Sequence, residues 1–129
     1  MDKILRINTR TRTIQYETTP EPYLKTGGRG LIAKILLDEV DPTCEPLGRH
    51  NKLIFAMGLL TGTNVSSASR VCIGAKSPLT QGIKESNSGG TTAMRLAQMG
   101  LKALILEDQP EDDRWWYVKI SKEACSLEP

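Results

Sequence analysis

The sequence predicts an α+β domain, with a mixed, largely antiparallel sheet and two helices. Three observations lead there. Short apolar runs with alternating or β-branched residues recur through the 129 residues, and alternation marks a half-buried strand. Two other segments carry apolar residues at helical spacing. Those two helices are not interleaved one-for-one with strands, as a doubly wound parallel sheet requires.

Lys3 to Asn8 sets Ile4, Leu5 and Ile7 among polar residues, and Thr13 to Thr18 carries Ile14 and Tyr16. Thr9 to Arg12 between them is polar and turn-like, so the chain opens with a β-hairpin. Thr19 to Tyr23, with two prolines, reads as a connector. Leu31, Ile32, Ile35, Leu36 and Val40 then recur at helical spacing, predicting a helix from about Gly28 to Val40. Asp41-Pro42 stops it, because the residue before proline avoids the α region.

Pro46 to His50 is a loop and Leu53 to Met57 a short strand. Gly58 to Ser69, rich in Gly, Thr, Ser and Asn, predicts a packed loop held by backbone hydrogen bonds. Such loops carry function on rigid scaffolds. Arg70 to Lys76 reads as a strand, Ser77 to Thr80 as a turn, and Gly82 to Glu85 as another short strand. Ser86-Asn87-Ser88-Gly89-Gly90 then turns the chain into a helix starting at Thr91, built on Ala93, Met94 and Ala97 and capped by Gly100. Ala103 to Leu106 is continuously apolar, as in a strand covered on both faces. Glu107 to Asp113 reads as a solvated acidic loop, and Trp115 to Ile120 as the last strand, its two tryptophans on opposite faces. The order is β-β-α-β-β-β-α-β-β in a single domain, residues 1–129.

Composition narrows the function. A net charge of +2 and an aromatic content of 5% give no footprint for nucleic acid. No segment is apolar for long enough to span a membrane, and the opening MDKILRINTR has no signal-peptide core, so a cytoplasmic protein is expected. The three cysteines, Cys44, Cys72 and Cys125, lie far apart without a CxxC pair. They fit small half-buried residues in a reducing compartment better than a disulfide framework or a metal–thiolate site. His50 is the lone histidine and has no partner ligand in sequence. No GxSxG elbow, Walker lysine or EF-hand loop is present.

Two glycine-rich stretches could hold an anion. Ser86 to Gly90 places small residues before a helix, where free N–H groups and close approach favour phosphate, with Arg70 as a charged partner. Gly27-Gly28-Arg29-Gly30 opens the first helix and admits the same reading, although it lacks the GxGxxG spacing. Plain turn chemistry and close helix packing explain the same residues. The residues alone leave both open.

Several stretches together resemble one family: Leu5-Arg6-Ile7-Asn8, Gly28-Arg29-Gly30-Leu31, Asp41-Pro42, Asn51-Lys52-Leu53-Ile54, Leu60-Thr61-Gly62-Thr63, Lys76-Ser77-Pro78-Leu79-Thr80 and Asn87-Ser88-Gly89-Gly90. In order and spacing the set resembles the first part of the N-terminal domain of the tungsten-containing aldehyde:ferredoxin oxidoreductases. The resemblance implies one half of an α+β unit whose sheets form a base under a bis-pterin cofactor of tungsten or molybdenum. It further implies Arg70 as the charge partner, Asn87 as a pterin contact and magnesium ligand through its backbone carbonyl, and Ser88 and Gly89 as the backbone cradle. The family's [4Fe-4S] cluster and its acid and histidine near the metal belong to later domains. The implied activity is oxidation of an aldehyde or related carbonyl compound with electrons passed to ferredoxin, and this segment is not expected to be active by itself. A stand-alone phosphate-binding or assembly module with the same fold is the alternative, and a homodimer that replaces the second half is a further expectation.

Overall fold

β1 (Lys3–Asn8) and β2 (Thr13–Thr18) form the expected hairpin, with Leu5 opposite Tyr16. The computed structural model describes residues 2–129. After the hairpin come α1 (Glu21–Leu24), α2 (Gly28–Glu39), β3 (Lys52–Met57), β4 (Val71–Lys76), β5 (Ile83–Ser88), α3 (Thr92–Gln98), β6 (Leu101–Glu107), β7 (Tyr117–Ile120) and β8 (Cys125–Glu128).

Six strands make one sheet in the order β2-β1-β6-β3-β4-β5, and β7 with β8 makes a separate hairpin. Every pairing in the large sheet is antiparallel except that of β1 with β6. The α+β expectation with a largely antiparallel sheet is met.

Both faces of the sheet are covered. On one, α2 lays Leu31, Ile32 and Ile35 against Ile4, Ile54 and Ile105. On the other, α3 and the β7–β8 hairpin bring Leu96, Val118 and Leu127 to Leu5, Met57 and Leu104. That explains why Ile4 and Leu5, adjacent and on opposite faces, are both buried. It also accounts for the continuous apolar run of β6, the strand between β1 and β3.

Four elements differ from expectation. The Thr19–Tyr23 connector runs into a single helical turn, α1, making three helices instead of two. Proline is tolerated in a first helical turn, and buried Tyr23 anchors this one by donating its hydroxyl to Asp38 at 2.5 Å. The strand expected to stop at Glu85 continues through Ser88, because pairing with β4 (Val71 opposite Ser88) overrides the weak β propensity of Ser and Asn. Trp115 and Trp116 precede the last strand instead of lying in it: Trp115 is 91% exposed, and the Arg12 guanidinium sits 5.1 Å from the centre of the Trp116 ring. Finally, β8 is too short and polar to show in the sequence, and it forms by pairing with β7 (Val118 opposite Leu127). In α3 the buried residues are Ala93, Leu96 and Ala97, with Met94 only half-buried.

Candidate anion-binding groove

One end of the sheet gathers the sequence features that could bind a ligand. There β3 ends and β4 begins, Met57 standing opposite Val71. The loop from 58 to 69 bridges them; it is tied by hydrogen bonds, but only Thr61 in it is buried and Leu59, Leu60 and Val65 are exposed, so the packed loop expected from its composition is not what forms. The Gly58 amide donates to Thr61 Oγ1 at 3.1 Å, and that hydroxyl donates to the Ala68 carbonyl at 2.8 Å. Ser69 Oγ donates to the Gly90 carbonyl at 2.5 Å, tying the loop to the glycine turn.

Arg70 sits at this junction, just before β4. Its Nη1 donates to Asn87 Oδ1 at 2.5 Å, which brings the two residues together. Gly89 is beside them: a side chain there would lie 3.8 Å from Arg70 Nη2. Gly90 has φ +107°, a conformation other residues rarely adopt.

The expected nest of amides at a helix start does not form as drawn. Ser86, Asn87 and Ser88 are extended in edge strand β5. Only Gly89 and Gly90 turn the chain, and α3 starts later, at Thr92, is seven residues long, and has no side-chain cap. Ser88 Oγ donates locally, to the Gly89 carbonyl at 3.2 Å. What remains of the site is the Arg70–Asn87 pair and the backbone on the open side of β5.

The structure adds a groove of about 700 Å³ running from Arg70 to the start of α2. Arg29, Gly27 and Gly28 form one side, Leu59, Leu60 and Val65 an apolar side, and Ser66, Ser67 and Cys72 also line it. Gly27 is required by contact, since a Cβ there would stand 2.8 Å from the Leu59 amide nitrogen. No carboxylate lines the groove among the described residues. Burial pushes the Cys72 thiol above its ordinary value, and Glu85 adds to the shift, so Cys72 is a neutral thiol near pH 7. Gly27 to Arg29 thus share one groove with Arg70, while none of Ser86 to Gly90 lines it. These groove residues were visible in sequence, but their meeting depends on long-range strand pairing.

The opposite end of β3 has the opposite character. A cavity of about 580 Å³ there is lined by Glu39, Asp41, His50, Lys52, Glu107 and Asp108, among others. Lys52 and Arg49 in its lining, and Arg6 beside it, are ion-paired. Arg6 pairs with Glu17 at 2.9 Å, Glu39 at 2.7 Å and Glu107 at 3.1 Å, and Lys52 with Glu107 at 2.8 Å and Glu39 at 3.2 Å. Burial works against the charges of Arg6 and Glu39, yet their hydrogen bonds outweigh it, raising the Arg6 value and lowering that of Glu39. Glu107 and Asp108 are therefore ion-paired, Asp108 with Arg10 and Arg49, and not part of a solvated run. Among the described residues no group of three or more His, Cys, Asp or Glu could hold a metal ion, and no helix is long and apolar enough to cross a membrane.

Comparison with known proteins gives one consistent result. The family model described as aldehyde ferredoxin oxidoreductase, N-terminal domain, matches residues 4–129. The tungsten-containing aldehyde ferredoxin oxidoreductase of Pyrococcus furiosus is 40% identical over 119 residues, covering 91% of this chain and 20% of that protein. The Pyrococcus abyssi protein of the same name is 41% identical over 118 residues, covering 90% and 19%. Among solved structures, the active-site complex BamBC of benzoyl coenzyme A reductase in complex with 1,5-dienoyl-CoA superposes with a TM-score of 0.91 at 30% identity, over 98% of this chain and 19% of that one. The chain thus spans about a fifth of the length of the curated relatives it matches.

Proposed function

The chain belongs to the aldehyde ferredoxin oxidoreductase family, matching its N-terminal domain, and from that premise we propose that it forms one side of a pterin-cofactor cradle. The observation that carries this is the Arg70 guanidinium, held by Asn87 at the mouth of a groove without carboxylates.

The residues present fit such a group. Arg70 offers a forked donor for a phosphate, and the free side of edge strand β5 carries unpaired backbone groups next to it. The glycine turn leaves open space, with nothing within 4 Å of where a Gly90 side chain would start. In this reading Arg70 would bind the phosphate, Asn87 would aim Arg70 and meet the pterin, Ser88 and Gly89 would offer backbone contacts, and the Asn87 carbonyl would be a ligand for magnesium. The curated relatives are named as tungsten-containing, so tungsten is the metal proposed.

When bound, the metal–pterin group supplies the electron-transfer chemistry itself. This chain's residues bind, orient and neutralise. The enzyme of which the domain is a part is proposed to oxidise an aldehyde or related carbonyl compound and pass electrons to ferredoxin, with the [4Fe-4S] ligands supplied from outside this segment. Calorimetric titration of the chain with a pterin phosphate and magnesium tests the reading. Saturable heat supports it, and no heat at millimolar ligand counts against it.

A further inference from the structure

We infer that Arg29 is a second anion-binding residue of this groove, taking a second anionic group of the ligand whose first group meets Arg70. The inference rests on the cradle reading above.

Three observations lead to it. Arg29, from the first turn of α2, lines the same cavity as Arg70, which comes from the start of β4. The two cations reach it from different elements, and the groove they line, at about 700 Å³, has the volume for more than a single phosphate. Neither guanidinium is ion-paired among the described residues, and both residues are exposed. At the far end of the sheet the contrast is direct, because Arg6, Arg10, Arg49 and Lys52 all meet carboxylates there.

Glu85 stands beside the groove, against Cys72 and accepting from Asn87 Nδ2 at 3.4 Å, but it pairs with neither arginine, so two like charges line the cavity and an anion between them relieves their repulsion. Leu59, Leu60 and Val65 add an apolar side. The ligand class that matches is an elongated molecule with two anionic groups, or one diphosphate, joined to an apolar or aromatic body. Gly27 holds the geometry, since its contact with the Leu59 amide fixes the start of α2 against the loop.

The test uses inorganic pyrophosphate and inorganic phosphate as probes, titrated into the 129-residue chain and its variants. Wild type should bind pyrophosphate about tenfold more tightly than phosphate, as expected for one added charge-assisted contact. Arg29→Gln should cut that preference to about twofold by weakening pyrophosphate much more than phosphate, and Arg29→Lys should restore part of it. Arg70→Gln should weaken both probes. The melting temperature of Arg29→Gln, an exposed change, should match wild type. A preference kept in Arg29→Gln overturns the inference and leaves the Arg70 site standing. So does an equal loss of both probes, which would place the two arginines on a single anion. If wild type binds neither probe, the cradle reading itself fails, and the inference with it.

Discussion

Arg70 and Asn87 stand seventeen positions apart, yet a hydrogen bond joins the guanidinium to the carboxamide oxygen across the ends of β4 and β5. The cation that would meet a ligand is therefore aimed by a neighbouring strand.

Asn87→Ala removes that aim without removing the charge. Phosphate binding should weaken about fivefold, the equivalent of one hydrogen bond of roughly 1 kcal/mol, and Asn87→Asp should weaken it further by neutralising Arg70. Isothermal titration with inorganic phosphate measures both. Equal affinity in Asn87→Ala and wild type would contradict the positioning role.

The Arg6 network predicts an acid limit to stability. Hydrogen bonds and charge from Arg6 hold Glu39 below its ordinary value of 4.5 in the folded chain. The unfolded chain thus binds more protons in the window just below that value, and stability rises with pH across it. Stabilisation from this group is present above pH 4.5 and is lost as pH falls through the lowered value. Chemical denaturation from pH 3 to pH 7 should show this slope in wild type and a smaller one in Glu39→Gln. Arg6→Ala leaves Glu17 without a cation and Glu39 and Glu107 with Lys52 alone, and should cost about 2 kcal/mol at pH 7, after allowing for solvent screening.

Lys102 predicts that removing a charge stabilises the chain. It is 2% exposed on β6, with the Leu24 carbonyl at 3.3 Å as its hydrogen-bond acceptor, and burial lowers its value below the ordinary 10.5. Replacement by Met should stabilise the chain at pH 7 by about 1–2 kcal/mol, since a buried cation gives way to an apolar side chain of similar length. Between its lowered value and 10.5 the unfolded chain binds more protons, so wild-type stability rises there and the advantage of Met shrinks. Denaturation at pH 7 and pH 10 separates this from simple repacking.

Two glycines test the packing of α2 on the sheet. A Cβ at Gly74 would meet Ile32 Cγ2 at 2.6 Å and the Lys84 carbonyl at 3.1 Å, so Gly74→Ala should cost about 2–3 kcal/mol. Gly30 lies inside α2 with nothing within 4 Å of a Cβ, and Gly30→Ala should stabilise by about 0.5–1 kcal/mol. Opposite shifts in melting temperature are expected.

Much of the fold was legible because strong local signals agree with the tertiary structure. The hairpin, α2 and β6 each show a period or an apolar run that burial requires. What was not legible depends on partners distant in sequence. β5 extends to Ser88 only because β4 pairs with it, β8 exists only against β7, and Trp116 turns to Arg12 instead of to a strand. The site followed the same rule. Arg70 and Asn87 could be named from sequence, whereas the joining of Arg29 to the Arg70 groove is set by where α2 docks.

The proposed cradle stands or falls on Arg70. The most direct measurement is the dissociation constant of a pterin phosphate, with magnesium, for wild type, Arg70→Ala and the exposed control Arg114→Ala. Saturable binding to wild type and to the control, weakened about tenfold or more in Arg70→Ala as for a lost charge-assisted contact, is the expected result. Equal affinity in all three proteins, or no binding to wild type, would contradict it.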